Sequence, residues 1–426
     1  MSSAAPTSAK LTNYQRFVVA LLGFLLFTVI LDFTILAPLG AILLKRLGVG
    51  TAEFGRVVSV YAFAASVSGL LTAGFADKLD RKKMLTFFYA GFLGGTLLCG
   101  LAPSYRFLLV ARIITGVFGG VIGSISFAIV TDLFSPQLRG RVMGVLQTAF
   151  SASQVVGIPA GLYLAEHFDW HAPFYAIVIV GVVAGGIMVL RLRPIDAHIA
   201  ANRDRHPVRH LVTTATRPRY LAGFAATILL ATGGFMMAPF GSAFAVNNLG
   251  VPMKHLPALY MATGISTILA GPLFGWLADR VGKYPVFIGG SLVGMIVVLT
   301  YTRLGLSPLW LVLAFSMILF ASISARMASS SAMVSQVPEM QDRGAYMAIS
   351  ASLQQLSGGV ASALAGAIVV QSASGKLERY PILGICVASS MFITILLMGN
   401  VNRIVRKPPV TVLGSLDGSD QTRKTL

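Results

Sequence analysis

The sequence predicts an all-α integral membrane protein: twelve transmembrane helices in two pseudo-symmetric six-helix bundles. Three observations carry the prediction: a lipid-adapted composition, twelve runs long enough to cross a bilayer, and motifs that recur between the two halves. Of 426 residues, 55% are hydrophobic and only 11% charged, and the mean hydropathy is +0.78. A soluble domain needs more polar surface than this, so lipid must solvate much of the chain.

A hydrocarbon core about 30 Å thick requires about 20 apolar residues at 1.5 Å of rise each. Runs meeting that length lie near residues 17–41, 54–75, 83–102, 105–131, 141–165, 171–190, 219–245, 256–277, 284–302, 308–334, 344–370 and 381–401. The first run is longer than the apolar region of a secretory signal and has no cleavage pattern, so it reads as a spanning helix. Residues 1–190 then form one six-helix bundle, 191–218 a basic linker, 219–401 the second bundle, and 402–426 a polar tail expected to be disordered.

The net charge of +18 is a topology signal. With the N-terminus cytoplasmic, the loops and tails on that side hold 23 of the 33 Lys and Arg, against 8 opposite, while Arg112 and Arg326 lie within helices. The positive-inside rule places both termini in the cytoplasm and makes the basic side a contact for anionic lipid. Because the basic residues sit in short segments between apolar runs, nucleic acid is not an expected partner. Cys99 and Cys386 both fall inside apolar runs and read as small hydrophobes, and no cofactor motif or metal site is expected.

The halves repeat. Asp77, Asp80, Arg81 and Lys82 follow the second run, and Asp279, Arg280, Gly282 and Lys283 follow the eighth, at an offset of 202. Arg139-Gly140-Arg-Val-Met143 opens the fifth run and Arg343-Gly344-Ala-Tyr-Met347 the eleventh, at an offset of 204. Two parallel six-helix repeats joined by a basic loop are the architecture of alternating-access transporters.

On these motifs the chain resembles the major facilitator superfamily over nearly its full length, and within it the twelve-helix drug:proton antiporters and sugar-efflux permeases. The second half keeps Gly275, Asp279, Arg280, Gly282 and Lys283 of the family's loop pattern; the first keeps Asp77, Arg81 and Lys82, with Ala73 and Asp80 where glycines belong. Arg112-Ile-Ile-Thr-Gly116 matches the arginine motif of the fourth helix, and Gly157-Ile-Pro159-Ala-Gly161 is a partial match to the antiporter motif of the fifth. The resemblance implies a cytoplasmic gate of Asp77, Arg81 and Asp132, with Gly275, Asp279 and Arg280 as its second-half counterpart, locking the halves in the outward-facing state. It also implies a bacterial-type inner membrane, a monomer, and transport of a small organic solute.

Asp32 alone of the fifteen acidic residues lies deep in an apolar run. An ionised carboxylate there costs several kcal/mol unless paired or hydrated, so it is expected to face a central cavity and to carry protons. Counting rise from the helix ends puts Asp32 about 15 Å and Arg112 about 10 Å below the outer surface, with Arg326 nearer 28 Å. Asp32 and Arg112 are the matched pair; Arg326, in the other half, is a candidate contact for an anionic or polar substrate group or a state-dependent partner of Asp32. Weaker cavity candidates are Gln147, Ser151 and Gln154 in the fifth run and Gln354 in the eleventh, each in a stripe at helical spacing.

The sequence has no Walker A motif and no catalytic constellation, which argues against ATP-driven transport and against an enzyme. The expected activity is proton-coupled efflux of a drug, sugar or metabolite. Proton symport or facilitated uptake, export of a lipid-like amphiphile, and a non-transporting receptor or scaffold remain open alternatives at this point.

Overall fold

A computed structural model describes residues 11–73, 78–196, 207–339 and 342–406. The long helices are α1 (Asn13–Ile35), α2 (Thr51–Ala73), α3 (Arg81–Gly100), α4 (Tyr105–Leu133), α5 (Gln137–His167) and α6 (Ala172–Arg191), then α7 (Pro218–Asn247), α8 (Leu256–Val281), α9 (Lys283–Tyr301), α10 (Leu309–Val334), α11 (Arg343–Ile368) and α12 (Tyr380–Arg406). Eleven helices among the described residues are long and apolar enough to cross a membrane. The other, α11, is long enough at 26 residues but interrupts its apolar face with Ser, Gln and Gly. We refer below to the side holding Asn13 and Arg406 as the terminal face, and to the opposite side as the far face.

Local chemistry explains the helix ends. Thr12 and Gln15 form a reciprocal capping box at the start of α1. Asp80 caps α3 by accepting from the backbone N–H of Lys82 and Lys83. Its counterpart in the second half, Gly282, has φ +107°, where only glycine sits without strain, whereas Asp80 has φ −58°. This accounts for the departure from the family pattern at this position: Asp80 needs no left-handed backbone and gives the first half a helix cap.

The structure shifts several expected boundaries. The first span ends at Ile35 and is followed by a short helix, Gly40–Arg46. The linker contains a helix, Pro207–Thr216, where only a loop was expected, and the twelfth helix continues to Arg406, five residues beyond its expected end. Residues 407–426, most of the expected tail, lie outside the described residues. Between α11 and α12, Val370–Gln371 pairs antiparallel with Leu377–Glu378. The side-chain amide of Asn248 in turn clamps this hairpin, donating to the carbonyl of Leu377 and accepting from its N–H, both at 2.9 Å.

The halves meet chiefly through α2 on α11 and α5 on α8, with short segments of the far face alongside. The first seam is built of small residues. A Cβ on Gly55 would lie 2.8 Å from the Ser362 carbonyl, and one on Gly366 would lie 2.8 Å from the Thr51 carbonyl. Toward the terminal face the seam reaches Ser66, whose hydroxyl donates to the Ser352 carbonyl at 2.8 Å. The second seam joins Gly264 of α8 to Gln154 and Val155 of α5. Nearer the terminal face Gly140, Gly144, Gly271 and Gly275 have no neighbour that an added Cβ would meet. The α5–α8 seam is therefore closed at mid-depth and beyond, and open at the terminal face.

Candidate functional site

The site is built inside the first half, where α1, α3 and α4 converge. Arg112 Nη1 of α4 donates to Asp32 Oδ2 of α1 at 2.8 Å and to the Asp32 carbonyl at 3.3 Å. From α3, the Thr96 hydroxyl donates to Asp32 Oδ1 at 3.2 Å. Both members of the pair are fully buried. Arg112 also lies over the ring of Tyr61 from α2, 4.5 Å from its centroid, while its Nε has no hydrogen-bond partner. A buried pair of this kind is held by mutual attraction that offsets a heavy desolvation cost, so changing the charge of either partner changes the stability of the whole arrangement.

The sequence expectation placed Asp32 at a cavity. The structure corrects this for the conformation described: the carboxylate is sealed within the half. A chain of aromatic contacts links it to the other bundle. Tyr61 packs on Phe33 with centroids 5.0 Å apart, and Phe33 on Phe235 of α7 at 5.8 Å. The sequence reading missed Thr96, Tyr61 and Phe33. Each is a single residue in an apolar run, and only the packing of four helices shows that they converge.

The partial antiporter motif lies one layer behind the pair. Its Pro159 has no N–H to give and its ring crowds the preceding turn, and α5 accommodates this with a π-turn at Ser153–Gly157. Gly157 and Gly161 let α5 approach the turn that carries Asp32: an added Cβ would come within 2.7 Å of Leu31 and of Ile35, respectively. Gly157→Leu should therefore displace α1 beside Asp32 and destabilise the protein by about 1–3 kcal/mol, read as a lowered melting temperature in detergent. An unchanged melting temperature would show that α1 does not depend on this contact.

The described residues include part of the expected gate. Arg81 Nε pairs with Asp132 Oδ2 at 3.2 Å, but this joins α3 to α4 within one half. Asp77 lies outside the described residues. In the second half, Arg280 stacks on Trp276 of its own helix, 4.1 Å from the ring centroid, and Gly275 has open space around it. The two gate contacts described, Arg81–Asp132 and Arg280–Trp276, each lie within one half.

The polar stripes divide. Gln147 and Gln354 are exposed, Ser151 is half-buried, and Gln154 is buried in the α5–α8 seam. Arg326, on α10, is buried in the second half, its guanidinium 5.6 Å from the ring centroid of Phe287 on α9. It forms no pair with Asp32. A further cluster, not expected from the sequence, sits at the terminal face of the second half. There Arg217 Nη1 contacts Asp342 Oδ2 at 2.6 Å and Glu339 Oε2 at 3.1 Å, and the Tyr220 hydroxyl donates to Asp342 Oδ2 at 2.7 Å. Hydrogen bonds to Tyr220 and Glu339 raise the pKa of Arg217 and keep it charged.

With this geometry in place, the comparisons with known proteins agree with the fold. The model of the Major Facilitator Superfamily matches residues 22–362 and 223–412. The chain belongs to this family of membrane transport proteins. It is 31% identical to multidrug resistance protein 3 of Bacillus subtilis (strain 168) over 178 residues, 42% of this chain and 34% of that one. It is also 24% identical to a probable sugar efflux transporter of Mannheimia succiniciproducens over 223 residues, 52% of this chain and 55% of that one. The solved structure of a point mutant of the nucleoside transporter NupG superposes with a TM-score of 0.73 at 14% identity, covering 91% of this chain and 99% of that one, a likeness of fold alone.

Proposed function

We propose that this protein is a secondary active transporter that exports a small organic solute by alternating access, with Asp32 as its proton-carrying group. The observation that carries the reading is the Asp32–Arg112 pair, a buried carboxylate and guanidinium at 2.8 Å, joined by aromatic contacts to the opposite half. Protonating the carboxylate removes the charge that holds Arg112. The guanidinium must then find another partner, and the Tyr61–Phe33–Phe235 contact is placed to pass that rearrangement to the second bundle. A proton moved across the membrane supplies about 2.3 kcal/mol per 100 mV of potential, in addition to the pH difference.

The names of the similar proteins support this direction, and the charge asymmetry supports the orientation in the membrane. With the basic terminal face in the cytoplasm of a bacterial-type cell, the seams closed toward the far face form the outer barrier and solute enters from inside. Gln147 and Gln354 are then candidates to meet it, and Arg81 and Asp132 belong to a gate that closes behind it. Drugs and sugars are the first solutes to offer, on the similarity to the multidrug resistance protein and the probable sugar efflux transporter above.

The test uses the full chain in liposomes with trapped pyranine. When drugs and sugars are offered under an imposed pH gradient, solute and proton should move in opposite directions. Movement in the same direction would identify a symporter, and solute movement without any proton response would remove Asp32 from the coupling step.

A further inference from the structure

Arg326 is 3% exposed and forms no ion pair among the described residues. Its Nε and Nη2 have no hydrogen-bond partner. The acids of the second half lie elsewhere among the described residues: Asp279 at the end of α8, Glu339 and Asp342 beside Arg217, and Glu378 in the far-face hairpin. A buried cation without a counter-charge is strongly disfavoured, and proteins otherwise supply one. Asp32 shows the ordinary solution in the first half; the second half leaves it out.

The surroundings suit an anion. Ser329, three residues along the buried face of α10, and Ser291, one turn from Phe287 on α9, each bury a hydroxyl with no partner. Gly290 lets α9 lie close to this stretch: a Cβ there would be 3.5 Å from Arg326 Cγ and 2.9 Å from the Ala325 methyl. Two unsatisfied guanidinium nitrogens, two unsatisfied hydroxyls and the Phe287 ring therefore lie on the stretches of α9 and α10 that Gly290 brings together. A guanidinium presents parallel donors that match carboxylate, sulfonate and phosphate oxygens. Arg326 lies eight residues from the end of α10, about 12 Å from the face at which the α5–α8 seam stands open.

We infer that Arg326, with Ser291 and Ser329, is an anion-binding site, and that the exported solute carries a carboxylate, sulfonate or phosphate group read by Arg326. This deepens the transporter reading above and rests on it.

The experiment measures thermal stability of the purified full chain against benzoate, benzenesulfonate and phenyl phosphate, with uncharged benzamide as the matched control. At least one anion should raise the melting temperature saturably and benzamide should not. Arg326→Gln should weaken the response about ten- to a hundredfold, while Arg326→Lys, which keeps the charge but not the fork, should retain part of it. No response to any of the three anions, an equal response to benzamide, or an undiminished response in Arg326→Gln would overturn the site. Should Arg326→Gln fail to fold, the anion-against-amide comparison in the wild type and the Arg326→Lys series still decide. A parallel arm adds phosphatidylglycerol: stabilisation by the lipid without any by the soluble anions would assign the site to a headgroup and overturn the substrate assignment. Anion failure alongside solute-coupled proton flux in the pyranine assay would leave the transporter reading intact, so the two failures are distinguishable.

Discussion

Asp32→Asn is expected to give a folded, membrane-inserted protein that no longer couples solute movement to a pH gradient. The amide keeps the shape of the carboxylate: its oxygen can still accept from Arg112, which lies at 2.8 Å, and its NH2 can donate to the Thr96 hydroxyl, which lies at 3.2 Å, but it cannot take up and release a proton near neutral pH. Gradient-driven flux should fall at least about a hundredfold, the loss of any step that depends on one group's titration, while downhill solute exchange continues. Retention of gradient-driven flux would show that the proton travels elsewhere. Truncation should act differently. Arg112→Ala strands the Asp32 carboxylate, and Asp32→Ala strands a fully buried guanidinium, so each single change should cost about 3–5 kcal/mol. The double variant should be less destabilised than the sum of the singles. Additive losses in thermal unfolding would mean that the pair is not energetically coupled.

The second large effect lies at the seam between the halves. A side chain at Gly55 would meet the Ser362 carbonyl at 2.8 Å and the Gly366 Cα at 3.0 Å. Both are backbone atoms and cannot rotate away. Gly55→Val should therefore force α2 and α11 apart toward the far face. An overpacking penalty of about 1–3 kcal/mol is enough to move a two-state population by roughly five- to a hundredfold toward the far-open state. Spin labels at the exposed positions Arg56 and Ser374 should report longer distances in Gly55→Val than in the parent. An unchanged distance distribution would show that the seam yields locally and does not set the equilibrium.

The sequence made most of the fold legible because lipid imposes a coarse rule, about twenty apolar residues for each crossing. It also paired Asp32 with Arg112, since two lone charges at matched depth have few other partners. What it concealed depends on lateral packing. Tyr61 and Thr96 look like scattered polar residues until α2 and α3 are placed against α1 and α4. Asp80 looked like a lost glycine, yet it caps a helix. Gln147 and Gln354 are both exposed, whereas Gln154, on the same stripe as Gln147, is buried in the inter-half seam; spacing on one helix cannot tell these apart. That Arg326 sits within a helix was legible, but its lack of an acidic partner among the described residues was not.

The polar character of α11 has a consequence for biogenesis. Ser352, Ser357, Ser362, Gly358, Gly359 and Gly366 are buried because α2 covers one side and α7 the other, where Thr232 meets Ser357 at 2.9 Å. Before those neighbours are in place, the same residues would face hydrocarbon, where each unsatisfied polar group is costly. This segment is poorly suited to enter the bilayer by itself. Its stable insertion depends on α7 and on α2, the latter made hundreds of residues earlier, so the first bundle acts in part as an intramolecular chaperone for the second.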